Sequence, residues 1–332
     1  MDLVTFGEAM VRLTPPSFQR LEQARSFDAY VGGAELNVAV AAARLGTASR
    51  WVSRLSDNAL GHMIANRARE HGVEVHVEWT TDDRAGLYFA ELGAAPRASS
   101  VLYDRAASAM SRVAPGTIDW PSVFRGARWL HVSGITPALS ESAAAVTAEA
   151  LIEAKRAQLT VSYDLNYRSK LWSAKKAQAV QQPLMEYVDV LITTEEDTRV
   201  VFGMRGNETD PQPDAEPYEE IARALGTRFD VDAVAVTLPL SLGSSWSAVV
   251  VAEGKTYRAP RHDVEVIDRI GAGDAFCAGL IVSRLENRGW DDAVRVASAT
   301  SALKHTIPGD FCLVTRGEVD RLLRGTSLRV SR

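Results

Sequence analysis

The run Asp268-Arg269-Ile270-Gly271-Ala272-Gly273-Asp274-Ala275-Phe276 holds the residue types that group transfer at an anionic centre requires. Its glycines let backbone come close to a ligand, and the apolar stretch from Cys277 to Leu285 reads as a helix that this turn opens. The backbone N–H groups of Gly271, Ala272 and Gly273, with the positive end of the helix dipole, form an anion site that suits phosphate. Asp274 closes the turn and points at the same space, where it can take a proton from a hydroxyl. The same residues also make an ordinary helix N-cap, with the aspartate satisfying backbone donors. The pattern is neither G-x-G-x-x-G nor a P-loop with its Lys-Ser/Thr, which disfavours a dinucleotide or Walker site.

A frame must hold that turn. Short apolar runs bounded by turn residues recur at Leu3 to Phe6, Ser49 to Arg54, Trp129 to Ser133, Thr160 to Asp164, Val188 to Thr193, Val231 to Leu238 and Ala248 to Ala252, and predict buried strands. Helical stretches lie between several of them, at Gly33 to Leu45, Ala59 to His71, Glu141 to Gln158, Lys175 to Tyr187 and Pro217 to Leu225. Alternating strand and helix implies a mostly parallel sheet covered on both faces. Residues 11 to 32 and 84 to 106 break the rhythm, and Gly86 to Glu91 with Ser100 to Arg105 read as strands paired around a Gly-Ala-Ala-Pro turn. The expected architecture is therefore one α/β domain over 1–332 with a small β lid inserted in it. The segment from Arg205 to Glu216, rich in Gly, Asn, Asp and Pro, reads as an exposed loop.

Composition narrows the partners. With 332 residues, 46% hydrophobic, the chain can bury one large core. A formal net charge of -5 and no basic cluster argue against nucleic acid. Cys277 and Cys312 lack C-x-x-C spacing, so neither a disulfide framework nor a zinc site is indicated and a reducing compartment is expected. No stretch approaches the roughly 20 apolar residues that span a bilayer, and the start reads directly as a strand, so no membrane partner and a cytoplasmic location are expected. The six histidines show no metal-like spacing, and no Gly-x-Ser-x-Gly elbow supports a hydrolase.

Two motifs at opposite ends of the chain then carry a resemblance. Asp268 to Phe276 resembles the C-terminal signature of the PfkB, or ribokinase-like, carbohydrate kinases. Gly32-Gly33-Ala34-Glu35-Leu36-Asn37-Val38-Ala39-Val40, running into Ala43-Arg44-Leu45-Gly46, is similar to that family's N-terminal signature. The resemblance implies a ribokinase-like three-layer fold with a β-sheet lid, ATP and Mg²⁺ as cofactors, and Asp274 as catalytic base beside Gly271, Ala272 and Gly273. Lids in the family often pair between subunits, and apolar strands such as Leu87 to Leu92 would gain from being covered, so at least a homodimer is expected.

Within the family the likeness is greatest to members that phosphorylate 2-keto-3-deoxygluconate. It runs through Gly7-Glu8-Ala9-Met10, Gly86-Leu87-Tyr88, Tyr103-Asp104-Arg105, Ser133 to Leu139, Asp164-Leu165-Asn166-Tyr167-Arg168 and Leu303 to Asp310. A keto-acid substrate needs a fixed cation for its carboxylate, preferably a planar guanidinium, and Arg105 and Arg168 are the candidates. For both, a salt bridge between structural elements is the plainer alternative. The resemblance puts Tyr88 and Tyr103 on the sugar from the lid, with Gly33, Asn37, Ile135 and Asp310 completing the pocket. Tyr88 and Tyr103 could equally be cross-strand packing partners.

On the nucleotide side the family commonly has an Asn followed three positions later by Glu, which helps organise Mg²⁺ and the phosphates. The matching positions here are Thr194 and Asp197, with Asp197 reaching Mg²⁺ through water. The resemblance adds Asn166, Thr237 and Gly243 to the nucleotide site, although the loop from Thr237 to Trp246 is longer and poorer in glycine than the family's. Relatives bind a monovalent cation near a region matching Asp268, Ile270 and Lys304 to Gly309, which suggests K⁺ with Asp268 nearby. Other functions compatible with these motifs are a neutral-sugar kinase (fructokinase or ribokinase), a kinase for the galactonate epimer, and a sugar-binding regulator that has lost catalysis.

Overall fold

The computed structural model describes residues 1–204, 216–238 and 245–325. Along the chain, β1 (Leu3–Phe6) leads to β2 (Met10–Thr14) and β3 (Asp28–Gly32), then α1 (Ala34–Arg44), β4 (Ser49–Ser56), α2 (Ala59–Glu70) and β5 (Glu74–Thr80). A hairpin of β6 (Gly86–Glu91) and β7 (Ser100–Asp104) precedes α3 (Trp120–Val123), β8 (Trp129–Ser133), α4 (Ile135–Ala138), α5 (Glu141–Arg156) and β9 (Thr160–Asp164). Next come α6 (Ala174–Leu184), β10 (Val190–Thr194), α7 (Glu195–Phe202), α8 (Glu216–Phe229) and β11 (Ala233–Thr237). The chain continues through β12 (Ser245–Trp246), β13 (Ala248–Ala252), β14 (Lys255–Arg258) and β15 (His262–Asp263) to α9 (Ala272–Leu285), α10 (Trp290–Lys304) and α11 (Arg316–Leu323).

The large sheet runs β14-β13-β11-β10-β9-β8-β1-β4-β5, parallel from β11 to β5 and antiparallel at β13 and β14. Successive side chains of β1 face opposite ways. Thus Leu3 packs with α1, α9 and α10, while Val4 and Phe6 join the core under α5 and α6. From β1 the chain first builds outward to β4 and β5, then returns to β8 on the other side. That reversal between β1 and β8 is where an open α/β sheet forms a crevice beyond its strand ends.

A second sheet, β3-β2-β6-β7, is the inserted β element that residues 11–32 and 84–106 predict. It starts one residue earlier, at Met10, and pairs β2 in parallel with β6. The strand containing Leu87 is accordingly interior to this sheet rather than an exposed edge; β3 and β7 form the edges.

Several elements escape sequence pattern. The edge strands β5 and β14 mix polar with apolar residues and are only partly buried, so no continuous apolar run marks them. Helix α10 is nearly all buried yet rich in Ser, Thr and Ala. Two of its hydroxyls are satisfied internally, Thr300 Oγ1 donating to the Val296 carbonyl at 2.8 Å and Ser301 Oγ to the Ala272 carbonyl at 2.7 Å, whereas the buried Ser298 hydroxyl has no partner among the described residues. Small residues also let α9 approach closely: a Cβ on Gly279 would lie 2.7 Å from the Ala297 Cα. The segment 205–215 and Gly243, with residues 239–244, lie outside the described residues.

Candidate active site

The carboxyl ends of the central strands, the start of α1, the start of α9 and the inner face of the small sheet enclose a cleft of about 410 Å³. Tyr88, Tyr103 and Arg105 enter from the small sheet, and Gly33 and Asn37 from the α1 start. Ile135 follows β8, Asn166 and Arg168 follow β9, Thr194 and Asp197 follow β10, and Thr237 ends β11. Gly271, Gly273 and Asp274 close the cleft from the α9 turn, with Asp310 beside them. Of the expected site residues, Ala272 and Asp268 are buried behind the wall rather than lining it.

Gly271 caps α9 in the left-handed region (φ 85°), and a Cβ there would lie 2.0 Å from the Asp310 carbonyl. Only glycine makes that turn without strain. The Ala272 amide donates back to the Arg269 carbonyl at 3.2 Å, so it is not available to a ligand. The donors left open are the amides of Gly271, Gly273 and Asp274, which have no intrahelical carbonyl partner. Around Gly273 a Cβ would meet nothing within 4 Å, as expected of a backbone that faces the cleft.

Asn37 fixes the carboxylate at the helix start. Its Nδ2 donates to Asp274 Oδ2 at 2.7 Å while its Oδ1 accepts from the Gly33 amide at 3.3 Å. Thus the Asn-to-backbone contact and the link to the reactive centre are both made by one side chain. Burial pushes the Asp274 carboxyl up to about 6, against the opposing pull of the Asn37 hydrogen bond and the Arg168 charge.

Three carboxyl groups converge here. Burial pushes Asp197 up to about 6, with Arg168 drawing it down. Asp164, absent from the sequence-derived site, also lines the cleft; burial, then repulsion from Asp197 and Asp274, hold it well above the usual carboxylate range. Such a cluster of three carboxyl groups against the single charge of Arg168 suits a divalent ion such as Mg²⁺. Among the described residues no group of three or more His, Cys, Asp or Glu could hold a metal unaided, so phosphate and water oxygens would have to complete the shell. Thr194 Oγ1 accepts the Asp197 amide at 3.0 Å and caps α7, so its hydroxyl is committed at least in part to the helix.

The two arginines differ. Arg105 is buried and ion-paired to Glu8, whose other oxygen accepts from Ser108. Its charge is compensated before any ligand arrives. Among the described residues no carboxylate lies within ion-pair distance of Arg168, whose Nη1 donates only to the Tyr167 carbonyl at 3.1 Å. Arg269, exposed in the cleft lining, is likewise without an ion pair among the described residues, but Arg168 is the free guanidinium that acts on the three converging carboxyl groups.

Behind the wall, Arg12 of β2 is fully buried, with Nη2 2.8 Å from Asp268 and Nη1 3.0 Å from Asp310. Tyr88 donates to the other oxygen of Asp310. Asp268 Oδ1 accepts the Ile270 amide and Oδ2 the Gly309 amide, each at 3.0 Å. The K⁺ expectation at Asp268 does not fit these donors, since both carboxylate oxygens already serve protein N–H groups. Arg12 was detectable in principle as a charge at an inward position of the apolar run Met10-Val11-Arg12-Leu13.

A family model described as pfkB family carbohydrate kinase matches residues 1–310. A protein of Haloferax volcanii named 2-dehydro-3-deoxygalactonokinase is 39% identical, covering 100% of this chain and 99% of its own. The crystal structure of 2-dehydro-3-deoxygluconokinase from Thermotoga maritima superposes with a TM-score of 0.93 at 40% identity, covering 98% of each chain. A structure from E. coli in complex with ATP and Mg²⁺ shares the fold, with a TM-score of 0.83 at 18% identity over 98% of this chain and 99% of that one.

Proposed function

The chain belongs to the pfkB family of carbohydrate kinases, and on that premise we propose that it transfers the terminal phosphoryl group of ATP to the primary hydroxyl of 2-keto-3-deoxygluconate. The product is 2-keto-3-deoxy-6-phosphogluconate. The observation that carries this reading is Asp274, held by Asn37 beside the open amides of Gly273 and Asp274, with the uncompensated Arg168 in the same cleft. The names of the relatives, which refer to two epimers of one sugar acid, agree with an anionic substrate.

Arg168 binds the substrate carboxylate through its fork of donors, and Arg105, already paired with Glu8, assists. Tyr88 and Tyr103 of the lid, with Gly33, Ile135 and Asp310, shape the sugar pocket and exclude water. Asp274 accepts the hydroxyl proton as the new oxygen–phosphorus bond forms and the bond to the ADP oxygen breaks. The Gly273 and Asp274 amides, at the positive end of α9, stabilise the charge on the transferring group. Asn166, Thr194, Asp197 and Thr237 face the nucleotide. When bound, Mg²⁺ held through Asp197 and Asp164 supplies positive charge to the phosphates.

ATP-coupled ADP release across 2-keto-3-deoxygluconate, its galactonate epimer, fructose and ribose tests the assignment. The sugar acids are expected to exceed the neutral sugars by roughly 10²-fold in kcat/KM, the size of a charge-assisted contact. Ribose or fructose turning over as well as the acids would overturn it, and no ADP release with any sugar would favour a binding-only role.

We also propose a homo-oligomer in the cytoplasm. Phe18 (48% exposed), Phe27 (41%) and Leu102 (58%) all lie on or beside the small sheet, an apolar surface that a second copy can cover. Both cysteines are buried and free, as a reducing compartment allows, and among the described residues no helix is long and apolar enough to cross a membrane. Light scattering on the eluting protein is expected to give at least two chains, and Leu102→Asp to shift the population toward one. A wild-type mass of one chain removes the proposal.

A further inference from the structure

Lys304, the last residue of α10, is completely buried directly behind the α9 turn. Its Nζ donates to the Ile307 carbonyl at 2.9 Å and reaches the Asp268 carbonyl at 3.4 Å. Its stem runs under the turn, since a Cβ on Gly271 would lie 3.3 Å from Lys304 Cε. One ammonium thus joins the loop before Gly271 to the loop that ends at Asp310. A buried lysine is costly unless its surroundings are organised for a cation. Burial lowers the Lys304 ammonium from its ordinary value, the carboxylates of Asp268 and Asp310 oppose that shift, and two carbonyl oxygens are aimed at the cation.

The charge inventory leaves no place for another ion. Arg12 and Lys304 lie beside Asp268 and Asp310, two cations against two carboxylates, and all four residues are buried. A potassium ion needs a shell of oxygens to replace its water. The Asp268 carboxylate is occupied by Arg12, Ile270 and Gly309, and two carbonyls of the same loops are turned to Lys304. An added monovalent ion would be a third, uncompensated positive charge.

We infer that the Lys304 ammonium is the resident cation of the phosphoryl-binding turn, taking the place of a monovalent metal ion and making this chain independent of K⁺. Lys304 is a positioning residue: it acts on the Gly273 and Asp274 amides by holding the Asp268–Gly271 backbone against the Ile307–Asp310 loop. The role in turnover rests on the kinase reading above, whereas the ion independence does not.

The first test needs no substrate. The wild-type melting temperature in sodium, potassium and tetramethylammonium chloride at one ionic strength is expected to agree within about 1 °C, because an ion without a site cannot stabilise by binding. A selective rise of several degrees in potassium would overturn the inference, whatever the enzyme phosphorylates. The second test is Lys304→Ala, which leaves room for a small cation. Its turnover in sodium is expected to fall by at least roughly 10-fold, with potassium, ammonium or methylammonium restoring both turnover and melting temperature, since only a charge-specific role is rescued by charge. Unchanged turnover in sodium would overturn the positioning role. Should the alanine variant not fold in sodium, recovery of folding in methylammonium supports the inference, and failure to recover in any of these cations overturns it. A chain that phosphorylates none of the panel sugars yet passes the melting test loses the kinase reading and keeps this one.

Discussion

Asp274→Asn lowers kcat by roughly 10²- to 10⁴-fold, the contribution of a positioned general base, and leaves the fold intact. Asparagine keeps an oxygen that can accept from Asn37 Nδ2, so the α9 start retains its shape while the proton acceptor is lost. Rapid kinetics with saturating ATP and sugar acid read the loss, and near-normal turnover would remove Asp274 from the reaction. The wild-type pH profile should show a limb near the same group: because burial holds the carboxyl at about 6, kcat/KM rises with pH through about 6 as the base becomes available. Stability moves the opposite way. The folded carboxyl keeps its proton up to about 6, whereas the ordinary value is 3.8, so the folded state binds more protons in that window and loses stability as pH rises through it. The asparagine variant escapes this loss, and its melting temperature should exceed that of the wild type at pH 8 by more than it does at pH 4.

The second large effect is Arg168→Ala, expected to lower kcat/KM for the sugar acid roughly 10- to 10²-fold, in line with loss of a charge-assisted hydrogen bond. KM for ATP should change far less. The variant carries a second signature. Arg168 draws Asp274, Asp197 and Asp164 down, so its removal moves the acid limb of the profile to higher pH. Equal losses for sugar acid and ATP would exclude a carboxylate-binding role.

Much of this molecule could be read from its residues because function and fold coincide at a few places. Gly271 and Gly273 are there for backbone reasons, and the turn they make has a local signature that neighbours cannot mask. The central strands are buried on both faces and appear as continuous apolar runs, as in Val190–Thr194 and Ala233–Thr237. Edge strands β5 and β14 have no such requirement and are silent in the pattern. Long-range charge pairing is equally silent. Arg12 and Asp310 are separated by nearly the whole chain, and Arg105 and Arg168 look alike until Glu8 is seen to neutralise one of them. The Ala272 amide shows the same limit at short range, since whether a turn N–H is free depends on where the carbonyl of Arg269 points.

The buried guanidinium of Arg12 also constrains how the mouth of the enzyme can open. A hinge across β2 would drag that group off both Asp268 and Asp310, and stripping a buried ion of its partners costs about 3–5 kcal/mol. An opening that keeps both pairs would have to flex the β6–β7 hairpin beyond the Tyr88 anchor, where Leu102 is exposed, and would break the Glu91 contacts with Leu21 and Arg97 instead. Entry and exit of ligands then resemble the lifting of an awning from its outer bar, with the wall bracket staying fixed.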